Sequence, residues 1–81
     1  MTVRSEGDLI ILEGDCFIAD AEALARLLRE PGRVVDVGGA RRLHTAIIQA
    51  MLVFRPAVIG QTGNPAIDAL LAGHFRPPIR A

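Results

Sequence analysis

The chain is short, apolar and electrically balanced: 81 residues, 51% of them hydrophobic, with nine arginines against nine acidic residues and no lysine. Because there is no net charge to attract polyanions, and tryptophan and tyrosine are absent, the composition argues against binding to nucleic acid. The length allows one domain with one core and no cleft between lobes. The lone Cys16 cannot form an intramolecular disulfide, and no apolar run approaches the ~20 residues of a membrane span. With charged residues where a secretory signal would be apolar, we expect a cytoplasmic protein with no direct membrane insertion.

The first third of the chain predicts a hairpin followed by a helix. Residues 2–6 suit an edge strand, and the continuous apolar run 9–12 suits a strand buried on both faces. Asp20 is a good N-cap, and residues 21–30 have helical periodicity. The predicted buried stripe of this helix consists of Leu24, Leu27 and Leu28.

The middle of the chain predicts a third strand and a helix that is apolar almost all round. Residues 33–37 form the strand, the glycine pair 38–39 marks a turn, and residues 40–43 form a connecting loop. His44 or Thr45 caps the helix, which ends near residue 54 ahead of a proline. A helix with so few polar positions must be buried on most sides or present an apolar face to a partner.

The last third predicts a strand over residues 57–60 and a third helix. Asn64 supplies a capping side chain directly before Pro65 at the first helical position, and Gly73 is a candidate C-cap. The inward positions predicted for this helix are Ile67, Leu70 and Leu71. Residues 76–81 read as an irregular C-terminal tail.

This alternation indicates an α/β fold with a small, mostly parallel four-stranded sheet and about three helices. We expect a single domain over residues 1–75. The predicted core residues are Ile10, Leu12, Leu24, Leu28, Val35, Val37 and Ile59.

The order of elements resembles the STAS domain, the fold of bacterial anti-sigma-factor antagonists. Leu12-Glu13-Gly14 matches an early family motif, and Asp36 matches an acid at a strand end. Thr45 falls on the position of the phosphorylatable hydroxyl, and residues 57–60 fit the following strand. The resemblance covers roughly residues 8–75.

The resemblance implies a non-catalytic module for protein binding, with partner switching controlled by phosphorylation at Thr45. Its partner would be an anti-sigma factor related to serine kinases. The alternative within the family is a constitutive accessory subunit of a membrane-lipid transporter ATPase. Two departures bear on kinase recognition: His44 replaces the usual acid, and Ile47 replaces a small residue.

The candidate partner interface surrounds the start of the second helix. Its predicted members are Arg41, Arg42, His44, Thr45, Ile48, Met51 and Leu52. Each polar member also has a plainer interpretation, Thr45 as a helix cap and the two arginines as solvated loop residues. One apolar face of the helix should be partly exposed, with Met51 or Leu52 as its more exposed residue, and an exposed strip of this kind makes a homodimer plausible.

No catalytic constellation is visible in the sequence. Cys16 has no base near it in sequence, and the glycine pairs do not fit a phosphate-binding loop that requires a lysine. We therefore predict no enzyme activity, no cofactor and no metal site. Asp36 at a strand end keeps open one alternative, a small-molecule-binding or enzymatic α/β domain.

Overall fold

An N-terminal strand is followed by three strand–helix units in the computed structural model, which describes residues 2–78. The elements in chain order are β1 (Val3–Glu6), β2 (Leu9–Cys16), α1 (Ile18–Leu28), β3 (Val34–Leu43), α2 (Thr45–Phe54), β4 (Ala57–Ile59) and α3 (Pro65–His74). The predicted α/β class, with four strands and three helices, is confirmed. Of the predicted tail, residues 76–78 have no regular structure, and residues 79–81 lie outside the described part of the chain.

The sheet is mixed, so the prediction of a mostly parallel sheet is wrong. Its order is β1-β2-β3-β4; β1 pairs antiparallel with β2, and the other two pairings are parallel. Glu6 pairs with Leu9 across a two-residue turn in which Gly7 has a φ of 58°. A connection this short can only reverse the chain, because a parallel pairing needs a crossover of a dozen residues or more.

Strand β3 is much longer than predicted, running through both glycines of the expected turn and the expected loop to Leu43. The pairing with β2 shifts register twice, between Ile11 and Glu13 and again between Gly14 and Asp15. Glu13 lies opposite Gly39, and Cys16 pairs with Leu43 at the end of both strands. Glycines inside a strand commonly mark a bulge of this kind rather than the end of the strand. The glycine pair predicted a turn because turns and strand bulges both favour glycine.

The core lies on one face of the sheet only. Ile10, Leu12, Val35 and Val37 are fully buried. They pack in one cluster with buried residues of all three helices. The two parallel crossovers are right-handed in nearly all proteins, which places α1 and α2 on the same face. Six of the seven predicted core residues are confirmed; the exception is Ile59, which is only half-buried.

The opposite face of the sheet carries apolar side chains that are half-buried and do not belong to the core cluster: Leu9, Ile11, Val34 and Ile59. Pairing places them together, since Leu9 lies opposite Val34 and Asp36 lies between Ile11 and Ile59. The buried apolar residues of the three helices belong to the core cluster on the other face. The prediction that residues 9–12 are buried on both faces is therefore wrong.

Two helix boundaries differ from their predictions because capping is arranged differently. Asp20 is not the N-cap of α1 but its third residue, where Oδ2 accepts the backbone N–H of Phe17 at 2.8 Å. At α3 the predicted cap is confirmed, since Asn64 Oδ1 accepts N–H groups of Ala66 and Ile67. This helix continues through Gly73 to His74.

The free edge of β4 is partly covered by the chain that follows α3. The Val58 N–H donates to the carbonyl oxygen of Arg76 at 3.0 Å. Covering a strand edge satisfies its backbone groups and discourages pairing with other chains. None of the helices in residues 2–78 is long and apolar enough to cross a membrane.

Candidate functional site

The N-terminal ends of α1 and α2 lie side by side because β2 and β3 end together. Cys16 pairs with Leu43, and the His44 N–H donates to the Cys16 carbonyl oxygen at 2.9 Å. A single residue separates each strand from the helix that follows it. Phe17 precedes α1, and His44 precedes α2, which begins at Thr45. Both helix N-termini therefore face the same end of the sheet. In α/β folds the carboxyl ends of parallel strands are where binding sites gather.

His44 caps α2, which settles one alternative left by the sequence. Its Nδ1 accepts the backbone N–H of Ala46 at 3.0 Å, so this nitrogen carries no proton. Thr45 is consequently the first residue of the helix and not its cap, and its side chain is exposed. A hydroxyl here stands at the positive end of the helix dipole, which favours negative charge.

The two arginines before the helix differ in what they can contact. Arg41 forms a two-point ion pair with Asp15, Nε to Oδ1 at 3.0 Å and Nη2 to Oδ2 at 3.1 Å. This bond holds the pKa of Asp15 below its ordinary value. Arg42 is exposed and lines a shallow cleft with Thr62. The sequence pattern did not identify Asp15, because the partner of Arg41 lies 26 residues away.

Two large apolar residues at this end escaped the sequence analysis. Phe17 is 58% exposed and Ile18 is 64% exposed, directly beside the start of α2. Phe17 can be recognised as unusual from its position alone. It is the N-cap of α1, where serine, threonine, aspartate or asparagine is preferred.

The backbone at Phe17 is nevertheless held firmly. Asp20 accepts the Phe17 N–H and also the hydroxyl of Thr2. The Thr2 hydroxyl, followed by the Phe17 N–H, holds the pKa of Asp20 below its ordinary value. The phenyl ring has no acceptor for the helix N–H groups, so it contributes nothing as a cap and points its apolar surface into water.

The apolar members of the predicted interface lie deeper than expected. Met51 is fully buried, Ile48 is 8% exposed, and Leu52 packs half-buried against the core cluster. The apolar residues that α2 does expose are Val53 and Phe54, at the opposite end of the helix. The expectation that Met51 is exposed is corrected; the interface roles of the other residues stay predictions.

The carboxylate of Asp36 is already bonded to the backbone two residues further along the chain. Its Oδ1 accepts the N–H of Gly38 at 2.8 Å. Gly60 crosses directly above, since a Cβ added there would lie 2.6 Å from the Gly38 nitrogen and 2.8 Å from this carboxylate oxygen. The carboxylate thus lies where the loop after β4 comes close to strand β3.

Neither the cysteine nor the histidines form a cluster in the described residues. Cys16 is buried, and burial raises the pKa of its thiol. His74 is exposed, with Nδ1 2.9 Å from the Leu70 carbonyl oxygen. Within residues 2–78 no group of three or more histidine, cysteine, aspartate or glutamate side chains is arranged to hold a metal ion.

Comparison with known proteins gives no assignment: no family model matches the chain, and no curated protein matches it.

Proposed function

We propose that the chain is a non-catalytic protein-interaction domain whose docking surface is formed by the N-terminal ends of α1 and α2. The observation that carries the proposal is the exposed pair Phe17 and Ile18 beside the exposed Thr45. Large apolar side chains in water are the usual anchors of protein interfaces, and aromatic residues dominate binding energy when a partner covers them. His44, Arg42 and Thr45 supply the polar rim of this surface.

Phosphorylation of Thr45 is the proposed switch. A phosphate would add nearly two negative charges at the first turn of α2, where the helix dipole favours them. The modification would therefore leave the domain folded while placing charge next to Phe17 and Ile18. A partner with an apolar or acidic contact surface would then be released. Arg42, unlike Arg41, is free of an ion pair among the described residues and can approach the phosphate.

The first experiment compares Thr45→Glu with Thr45→Ala. Partners captured from the native host are identified by mass spectrometry, and their affinity for each purified variant is then measured. Thr45→Glu should weaken binding at least tenfold and leave the melting temperature equal or slightly higher. Thr45→Ala should keep the affinity and remove the phosphate. A stable complex with an ATPase and an unmodified Thr45 would favour the accessory-subunit alternative.

Phe17→Ser separates binding from stability more sharply. Serine is a preferred N-cap, so this change should stabilise α1 by ~0.5–2 kcal/mol while removing the aromatic anchor. The matched control is Val53→Ser, which removes an apolar side chain that is 76% exposed at the far end of α2. The proposed docking surface is supported if Phe17→Ser weakens partner binding and Val53→Ser does not. Equal binding by both variants, or substrate turnover by the isolated chain, contradicts the proposal.

A further inference from the structure

A second surface, at the opposite end of the sheet, concentrates positive charge in an otherwise neutral molecule. A pocket of about 440 Å³ lies where β3 and β4 begin and is lined by segments following α1, α2 and α3. Three arginines line it, Arg33, Arg55 and Arg76, against the single acid Glu30. Its apolar wall includes Leu28 and Phe54. Pockets of this size accommodate small organic ligands.

Two of the arginines are held in place by the fold. The Arg33 side chain is only 11% exposed, and its guanidinium donates to Ser5 Oγ at 2.9 Å and to Glu30 Oε2 at 3.0 Å. Arg76 donates one N–H to the Arg55 carbonyl oxygen at 3.1 Å, which leaves its other donors available. Within residues 2–78 neither Arg55 nor Arg76 has an acidic partner within 4 Å.

Arg55 stands in a backbone conformation that favours glycine. Its φ of 50° places it in the left-handed region at the end of α2, and among residues 2–78 it is the one residue other than glycine with a positive φ. Glycine is the usual choice at this helix position because it carries no Cβ. The strained arginine therefore has no local structural advantage, and strain of this kind is concentrated at functional positions.

We propose that this pocket binds the phosphate group of a small phosphomonoester whose organic part is flat and apolar. Guanidinium groups present planar pairs of donors that match phosphate oxygens, and a pocket with three of them and one acid favours a doubly charged group. Phe54, 39% exposed at the rim, supplies an apolar surface for the organic part. The site is independent of the proposed docking surface, which lies at the other end of the sheet.

The test uses phenyl phosphate, inorganic phosphate and benzyl alcohol as probes at constant ionic strength, with binding followed by ¹H–¹⁵N NMR. Phenyl phosphate should bind saturably at residues of the pocket and more tightly than inorganic phosphate, and benzyl alcohol should not bind. Arg55→Gly should weaken phenyl phosphate binding at least tenfold with an equal or higher melting temperature. The Arg76 bond survives this change because it goes to the backbone carbonyl.

Arg26→Gln is the matched control, since Arg26 is exposed on α1 and does not line the pocket. A second variant, Arg76→Gln, keeps the backbone bond between residues 76 and 58 while removing the charge. The proposal is overturned if Arg55→Gly and Arg76→Gln both leave the affinity for phenyl phosphate unchanged. It is also overturned if Arg26→Gln lowers that affinity as much as they do. An absence of saturation with phenyl phosphate also overturns it.

Discussion

Two residues, Phe17 and Arg55, are of types that are uncommon at the backbone positions they occupy. Phe17 is a helix N-cap, but its side chain has no hydrogen-bond acceptor. Arg55 has left-handed backbone angles, which glycine adopts with less steric strain. Natural sequences agree with their local structure at most positions and depart from it where function requires. Both departures expose a side chain, one at each end of the sheet. They are the physical basis for the two binding surfaces proposed above.

His44 is the opposite case, a side chain matched to its position. Because Nδ1 accepts the Ala46 N–H, we expect His44→Ala to destabilise the domain by about 1 kcal/mol. His44→Asn should retain most of that stability, since an asparagine oxygen can accept the same bond. Urea unfolding of the three proteins measures the difference. Equal losses in the two variants would show that the imidazole acts through some contact other than capping.

At the scale of elements, two glycines that follow β4 perform different tasks. Gly60 and Gly63 have similar φ values of 87° and 85°, but only Gly60 approaches another backbone. Replacing either with alanine costs about 1–2 kcal/mol of backbone strain. Gly60→Ala should cost a further ~1–3 kcal/mol because its Cβ would meet the Gly38 nitrogen at 2.6 Å.

The two melting temperatures provide the measurement for this pair. Gly63→Ala serves as the control, because nothing lies within 4 Å of a Cβ at that position. If both variants melt at the same temperature, the loop after β4 lies further from Gly38 of β3 in solution than in the structure.

The elements that were predicted correctly depend on local signals, and those that were not depend on pairing. The third helix was readable from Asn64 and Pro65 because a cap and an N-terminal proline act within a few residues. The full length of β3 was not, because it depends on partners in β2 that are more than 25 residues away. The ion pair between Arg41 and Asp15 could not be predicted for the same reason, because the two residues are 26 positions apart. Phe17 at the N-cap of α1 does give a local signal, which the sequence analysis did not use.

At the scale of the whole molecule, burial is confined to one side of the sheet. Ile10 and Ile11 are chemically identical neighbours that point to opposite faces, one fully buried and one half-buried. We expect Ile10→Ala to destabilise the domain by ~2–5 kcal/mol and Ile11→Ala by about 1 kcal/mol. Unfolding in urea at low protein concentration measures both.

The same pair of variants tests whether a homodimer forms through the open face of the sheet, and not through the face of α2 predicted from the sequence. If Ile11→Ala costs as much as Ile10→Ala, and the cost grows with protein concentration, a second copy covers the open face in solution. Sedimentation at several concentrations provides an independent measurement. A monomer at all concentrations with a small cost for Ile11→Ala would leave this face exposed to water.

The order of strands in space repeats their order along the chain, and this has a consequence for how the molecule forms. Each strand pairs with the one synthesised just before it, so no strand has to insert between two that are already in place. The longest loop to be closed is a single strand–helix unit, and contacts of short sequence separation form quickly. Folding can therefore follow synthesis, with each newly paired strand serving as the template for the next, until the segment around Arg76 joins the outer edge of β4.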